Sequence, residues 1–351
     1  MSQTSPDTAV PVQFSGKAGE WFGIWIVNLL LTIVTFGIYS AWAKVRKEQY
    51  FKRNTAIDGR SFDYHATGKQ ILIGRIIVVV ALVVWNTVLT VVPVVGLILT
   101  LALVLYLPKL IIHSLRFNAR VTSWSNVRFD FQGTYGNAFV TYLLVPIGVF
   151  LTAFLALPFG SRKAARFSVS GHSIGNHDFH FAAPIGPFYR AFAIALIWAV
   201  VVGVFTLGPA IGVIAQNSAA LEDDPAIMLS FLGGIYGFLI FGLIPAALIY
   251  SALLRNTIYA STEIEGGHRL RSTITPVKYI WIAISNTIVT VLTLGLMLPW
   301  AQIRMARYLA HNTQILPNGD LNDIAGRIAH EGSAIDDAYG DIEGLDVGLP
   351  I

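Results

Sequence analysis

Residues 28–55 read NLLLTIVTFGIYSAWAKVRKEQYFKRNT and residues 286–313 read NTIVTVLTLGLMLPWAQIRMARYLAHNT. The two align without a gap and share ten identities, among them Asn28/Asn286, Thr35/Thr293, Gly37/Gly295, Trp42/Trp300, Arg46/Arg304 and Asn54/Asn312. A more diverged third copy runs Leu151–Phe159 with Lys163, Arg166 and Phe167, against Leu292–Trp300 with Arg304, Arg307 and Tyr308. Each copy is an apolar segment, a proline or aromatic exit and a basic amphipathic turn. The recurrence makes the chain a repeated, polytopic membrane protein.

Composition agrees: 54% of residues are hydrophobic and 13% charged, whereas soluble domains carry about a quarter charged. Disulfides, thiolate catalysis and Cys-ligated metals are excluded, because there is no cysteine. The first twenty residues lack a basic segment followed by an apolar one, so the first apolar stretch is expected to stay in the mature protein.

Apolar segments lie at about 21–42, 70–92, 94–112, 136–158, 188–215, 226–254 and 279–300. None of the 24 Lys and Arg falls in the Pro93 turn or in the loop holding Glu222, Asp223 and Asp224. By the positive-inside bias the basic connectors and both termini are cytoplasmic. The segments at 70–112 and 188–254 then cross in two out-and-back pairs. The three repeat units, at about 21–55, 136–167 and 279–313, have basic residues at both ends and read as hairpins that enter and leave on the cytoplasmic face. Seven single spans are the alternative.

Aromatic and polar residues alternate at Ser61–His65, Arg128–Gln132, Asp178–Phe181 and, more weakly, His268–Arg271, the period of a half-buried strand. Asp58-Gly59 and Gly266-Gly267 are hairpin-turn pairs ahead of two of these runs. The fold class expected is therefore an all-α polytopic membrane protein with internal repeats and short cytoplasmic β-hairpins between helices. Those hairpins would pair into one sheet with Phe62, Tyr64, Phe129, Phe131, Phe179 and Phe181 on its apolar face. Residues 1–20 form an N-terminal cytoplasmic segment, 21–313 the membrane domain and 314–351 an acidic cytoplasmic tail.

The run Trp25-Ile26, Asn28, Leu31-Thr32, Thr35, Gly37-Ile38-Tyr39-Ser40-Ala41-Trp42-Ala43-Lys44-Val45-Arg46, with Tyr50-Phe51, Asn54-Thr55 and Asp58-Gly59, resembles the YjgN family of bacterial inner-membrane proteins. The likeness extends over nearly the whole chain. It implies an inner-membrane location and several spans, and carries no reaction, substrate or active site.

Candidate functional residues are few. Asn28, Thr35, Asn286 and Thr293 would line a polar solute path or make interhelical hydrogen bonds. Arg46, Lys163, Arg304 and Arg307 would contact anionic phospholipid headgroups or anchor the turns at the interface. His172, His177 and His180 with Asp178 have the chemistry of metal ligands, yet on an alternating strand His177 and His180 face opposite sides. No metal, cofactor or nucleic acid is expected. No carboxylate relay, phosphate loop, HExxH or GxSxG motif occurs, so the reading is non-enzymatic. Two functions stand: a passive or facilitative path for a small solute or lipid, and a scaffold that gathers anionic lipid and binds a protein through the acidic tail.

Overall fold

In Asp58-Gly59 and Ser125-Asn126 both residues have positive φ (51° and 72°, 51° and 69°), the geometry that turns two twisted strands into a tight hairpin. Short turns join four hairpins: β2 (Thr55–Ile57) with β3 (Arg60–Tyr64), β4 (Thr122–Trp124) with β5 (Val127–Phe131), β6 (His172–Ile174) with β7 (His177–Phe181), and β8 (Thr262–Ile264) with β9 (His268–Ser272). The chain ends supply a fifth pair, β1 (Val10–Phe14) beside β10 (Thr313–Leu316), with Val10 opposite Ile315. Neighbouring hairpins pair in turn and β1 also pairs with β2, so ten antiparallel strands close into a barrel.

The barrel corrects the all-α expectation. A row of four hairpins would leave two edges of unpaired N–H and C=O groups, and the terminal strands abolish both. The computed structural model describes residues 9–216 and 225–319. Glu222, Asp223 and Asp224 of the acidic loop, and the acidic tail from Asp320 onward, lie outside the described residues.

Five helical hairpins alternate with the strand pairs. They are α1 (Ala18–Val34) with α2 (Ser40–Arg53), α3 (Gly68–Val91) with α4 (Pro93–Arg120), α5 (Tyr135–Leu151) with α6 (Leu157–Ser170), α7 (Gly186–Gln216) with α8 (Ala226–Ala260), and α9 (Pro276–Leu292) with α10 (Leu298–His311). Among the described residues α3, α4, α7 and α8 are long and apolar enough to cross a membrane, while α1, α5 and α9 are shorter apolar helices. The ring closes where α1 meets α10, with the buried Trp21 Nε1 donating to Gln302 Oε1 at 2.8 Å.

Equivalent joints tie every helical hairpin to the barrel. The first residue of each strand that follows a helix donates back to the carbonyl four residues earlier: Thr55 to Phe51 (2.8 Å), Thr122 to Asn118 (2.7 Å), His172 to Ser168 (2.6 Å), Thr262 to Ile258 (2.8 Å) and Thr313 to Leu309 (2.7 Å). Each bond satisfies a carbonyl that a helix end leaves open. Alongside, the N–H groups of Ser15, His65, Gln132, Ala182 and Thr273 donate to the carbonyls of Asn54, Val121, Gly171, Ser261 and Asn312 at 2.7–3.2 Å. Five copies of one joint make the architecture five-fold, where the sequence shows three repeats.

The three short hairpins turn on a threonine. Thr35, Thr152 and Thr293 each donate to the carbonyl four residues back and accept the N–H of Tyr39, Ala156 or Met297. Left-handed residues follow, Phe36-Gly37, Ala153-Phe154 and Leu294-Gly295, and glycine removes the Cβ penalty in two of the three. Phe36 and Leu294 stand bare at the tips, 97% and 94% exposed. Both ends of each short hairpin return to the barrel. Inside α5 and α8 the helix widens to a π turn at Val140–Leu144 and Phe238–Leu243, just ahead of Pro146 and Pro245. The proline rings would otherwise collide with the carbonyl four residues before them.

Candidate functional site

Strand alternation decides what points into the barrel. The middle residues of the five-residue strands are Val12, Phe62, Phe129, Phe179 and Leu270, and the third residues of the strands after each helix are Ile57, Trp124, Ile174, Ile264 and Ile315. All ten pack in one apolar cluster, with the Phe62, Phe129 and Phe179 rings in sequence at 6.3 and 6.4 Å. Eight strands make a barrel just wide enough to be filled by side chains or to hold one small ligand, and width grows with strand number. Ten leave a void. A cavity of about 410 Å³ lies between this layer and the helix ends, within the size range of small-molecule sites. Its roof comprises Phe51 of α2, Arg255 and Tyr259 of α8, and Ala306, Leu309 and Ala310 of α10.

Few polar groups reach the cavity, and they are unevenly satisfied. Arg255 Nη2 donates to Thr313 Oγ1 at 3.0 Å, and the guanidinium lies 4.2 Å from the centre of the Tyr259 ring. Its Nε is sealed from solvent and has no hydrogen-bond partner among the described residues. His177 Nδ1 is in the same condition. Buried His268 accepts the Asn318 N–H on Nδ1 at 2.9 Å, and burial, with the nearby His177, pushes its pKa below the ordinary imidazole value.

A second cavity of about 430 Å³ adjoins the first and shares Phe51, Thr55, Phe62 and Phe129 with it. Its cation is Lys52, whose ammonium donates to Thr122 Oγ1 and sits 4.6 Å from the Tyr64 ring centre. Burial pushes the Lys52 pKa down, and neighbouring Glu48 opposes that. Arg255 and Lys52 therefore use one motif: a cation at a helix end, bonded to the first threonine of the next repeat and lying near a tyrosine ring.

The family described as "Bacterial protein of unknown function (DUF898)" matches residues 9–342, which include both strands that close the barrel. The chain belongs to that family. "Inner membrane protein YjgN" of Salmonella typhimurium is 26% identical to it over 358 residues, 89% of each chain. The proteins of the same name from Escherichia coli O157:H7 and K12 are 26% identical over 373 residues, 92% of this chain and 93% of theirs. No solved structure matches. The relatives are inner membrane proteins, and with four helices fit to cross a membrane this DUF898 member is a transmembrane protein.

The sequence candidates lie outside the chamber of this DUF898 protein. Thr35 and Thr293 cap the hairpin turns, Asn286 is buried and hydrogen-bonded between α9 and α10, and Asn28 is buried on α1. Arg304 donates to Ser285 Oγ (2.6 Å) and Asn286 Oδ1 (3.0 Å), and Arg307 to the Gly16 carbonyl (3.1 Å). With Lys278 and His311 these two arginines line a groove of about 550 Å³ beside α9 and α10. Arg46 lies 5.7 Å from the Tyr39 ring centre, and Lys163 is half-buried on α6. Of the histidines, His172 serves as a joint, His177 faces the chamber and exposed His180 faces away.

Arg255 was legible only as a topological charge. Counting back seven residues from the joint residue gives Glu48, Leu115, Ala165, Arg255 and Ala306 in the five repeats. That alignment exposes the arginine, but it needs the five joints, and one of them is a histidine among threonines.

Proposed function

We propose that this DUF898 protein is a non-catalytic, facilitative path for lipid, in which the barrel chamber receives an acyl chain. One observation carries the reading: a cavity of about 410 Å³ lined mainly by aromatic and aliphatic side chains, with Arg255, His177 and His268 as its ionisable groups, a surface better suited to an alkyl chain than to a hydrated solute. In this reading the basic connectors hold the barrel and both termini at the cytoplasmic face. The two long helical hairpins cross the bilayer. The short ones, with first arms of 17 residues and so about 25 Å long, dip into it from the barrel side. Their bare tips suit hydrocarbon.

The test uses the full chain in phosphatidylcholine nanodiscs with a diazirine-bearing fatty acid. Photolabel is expected on the peptides containing Phe62, Phe129 and Leu270, and Ala306→Trp, which fills the roof, is expected to cut it at least tenfold. Label confined to the outer faces of α3, α4, α7 and α8 would contradict the reading. The groove lined by Lys278, Arg304, Arg307 and His311 favours a second reading, a scaffold that gathers anionic headgroups there and binds a partner through its acidic tail. Loss of vesicle binding in Arg307→Gln with unchanged chamber labelling would favour it.

A further inference from the structure

The lipid-path reading leaves open what head group the chain carries, and Arg255 bears on that. An arginine side chain presents five N–H donors in a planar fork and stays charged at every physiological pH. Here one donor is used on a neutral hydroxyl, Thr313 Oγ1, whose own hydrogen goes to the Leu309 carbonyl. The Tyr259 ring covers a face of the fork. Among the described residues Nε is buried and without an acceptor, and no carboxylate pairs with this guanidinium. Arg255 is half-buried, and a cation partly withdrawn from water in a mainly apolar wall is costly unless an anion and its hydrogen bonds complete it.

The fold does not require a cation there. The equivalent residue is Leu115, Ala165 or Ala306 in three other repeats and Glu48 in the fourth, and all five joints form regardless. Tyr259 is likewise particular to its repeat, since the equivalent residues are Lys52, Ala119, Val169 and Ala310. The joint that Thr313 makes thus requires neither the arginine nor its ring, and both open onto a chamber that Phe129, Phe179, Leu270, His177 and His268 also line.

We propose that Arg255 is the anion seat of the chamber, and that the ligand is an amphiphile with a carboxylate or phosphate at the end of an alkyl chain. The fork pairs through its Nη groups with two oxygens of the head group, with Tyr259 and Thr313 fixing its plane, while the chain lies along the aromatic layer. This inference rests on the acyl-chain reading and adds the charge of the head.

Affinities of the full chain in phosphatidylcholine nanodiscs are compared for palmitate, palmitoyl lysophosphatidate, monopalmitoylglycerol, acetate and inorganic phosphate. Both long-chain anions are expected to bind at least tenfold more tightly than the neutral glycerol ester, and acetate and phosphate to compete only weakly. Arg255→Gln is expected to erase the anion preference, and Arg255→Lys to keep part of it. Equal binding of anionic and neutral long-chain ligands would overturn the anion seat and leave the acyl-chain reading standing. Binding of none of the long-chain ligands would overturn both. Tight binding of inorganic phosphate would replace the amphiphile with a free-anion site. The comparison of head groups needs only the unaltered protein, so it decides the matter even where Arg255→Gln fails to fold.

Discussion

The first and last helical hairpins have the same design and different polar interiors. In the last, Asn286 donates to the Ala301 carbonyl and accepts from Arg304, which also reaches Ser285. In the first, Asn28 occupies the same place, yet its Oδ1 is buried without a partner among the described residues, and the matching Arg46 lies over Tyr39. Two exchanges accompany the difference. Val27 stands where Ser285 offers a hydroxyl, and Tyr39 stands where Met297 offers no polarised ring face. Identical residues acquire different roles from their neighbours, so a repeat read as a repeat overstates the likeness of its copies.

The largest effect expected from breaking this comparison is at Asn286. Asn286→Leu removes one of the two side-chain acceptors of Arg304 and the donor to the Ala301 carbonyl, and is expected to cost about 2–3 kcal/mol in denaturant unfolding in detergent. Asn28→Leu removes an acceptor that already lacks a partner, and is expected to be neutral or to stabilise by up to about 1 kcal/mol. Equal losses at both positions would end the distinction. Exchanging the neighbours sharpens it: Val27→Ser with Tyr39→Met is expected to draw Arg46 onto Asn28 and gain about 1 kcal/mol, and Ser285→Val with Met297→Tyr to lose a similar amount.

The smallest effect concerns pH, and it follows the same asymmetry into the barrel. The first residues of the five-residue strands are Val10, Arg60 and Val127 in the first three along the chain, but His177 and His268 in the last two. Burial holds the His268 pKa below its unfolded value, so the folded state favours neutral imidazole. Its contribution to stability is then full above the unfolded value of about 6.5 and is lost as pH falls from there through the lowered folded value. His268→Asn keeps an acceptor for the Asn318 N–H and has nothing to titrate. A flatter stability profile between pH 7 and 5 is expected for that variant, and an unchanged slope would count against the assignment.

How much of this was legible beforehand depended on element length and on where the partner lay in sequence. The long apolar helices announce themselves by length. The strands β3, β5 and β7 show through the alternation of Phe62 and Tyr64, Phe129 and Phe131, Phe179 and Phe181. Their partners β2, β4, β6 and β8 have three residues each, too few for any period to emerge. Val10–Phe14 and Thr313–Leu316 are unremarkable as strings, and only their meeting at the Val10–Ile315 pair turns a set of hairpins into a closed barrel. The chamber was hidden for the same reason, since it exists only once the barrel closes. Thr35 and Thr293 are polar groups in apolar sequence, and their hydrogen bonds go to the turns they cap.

The most direct test of the acyl-chain chamber is a high-resolution structure of the purified protein in lipid nanodiscs. The account predicts elongated density inside the barrel, running along Phe62, Phe129 and Phe179 and ending within hydrogen-bonding distance of Arg255. A chamber filled by ordered water, or collapsed by rotation of those three rings, would contradict it.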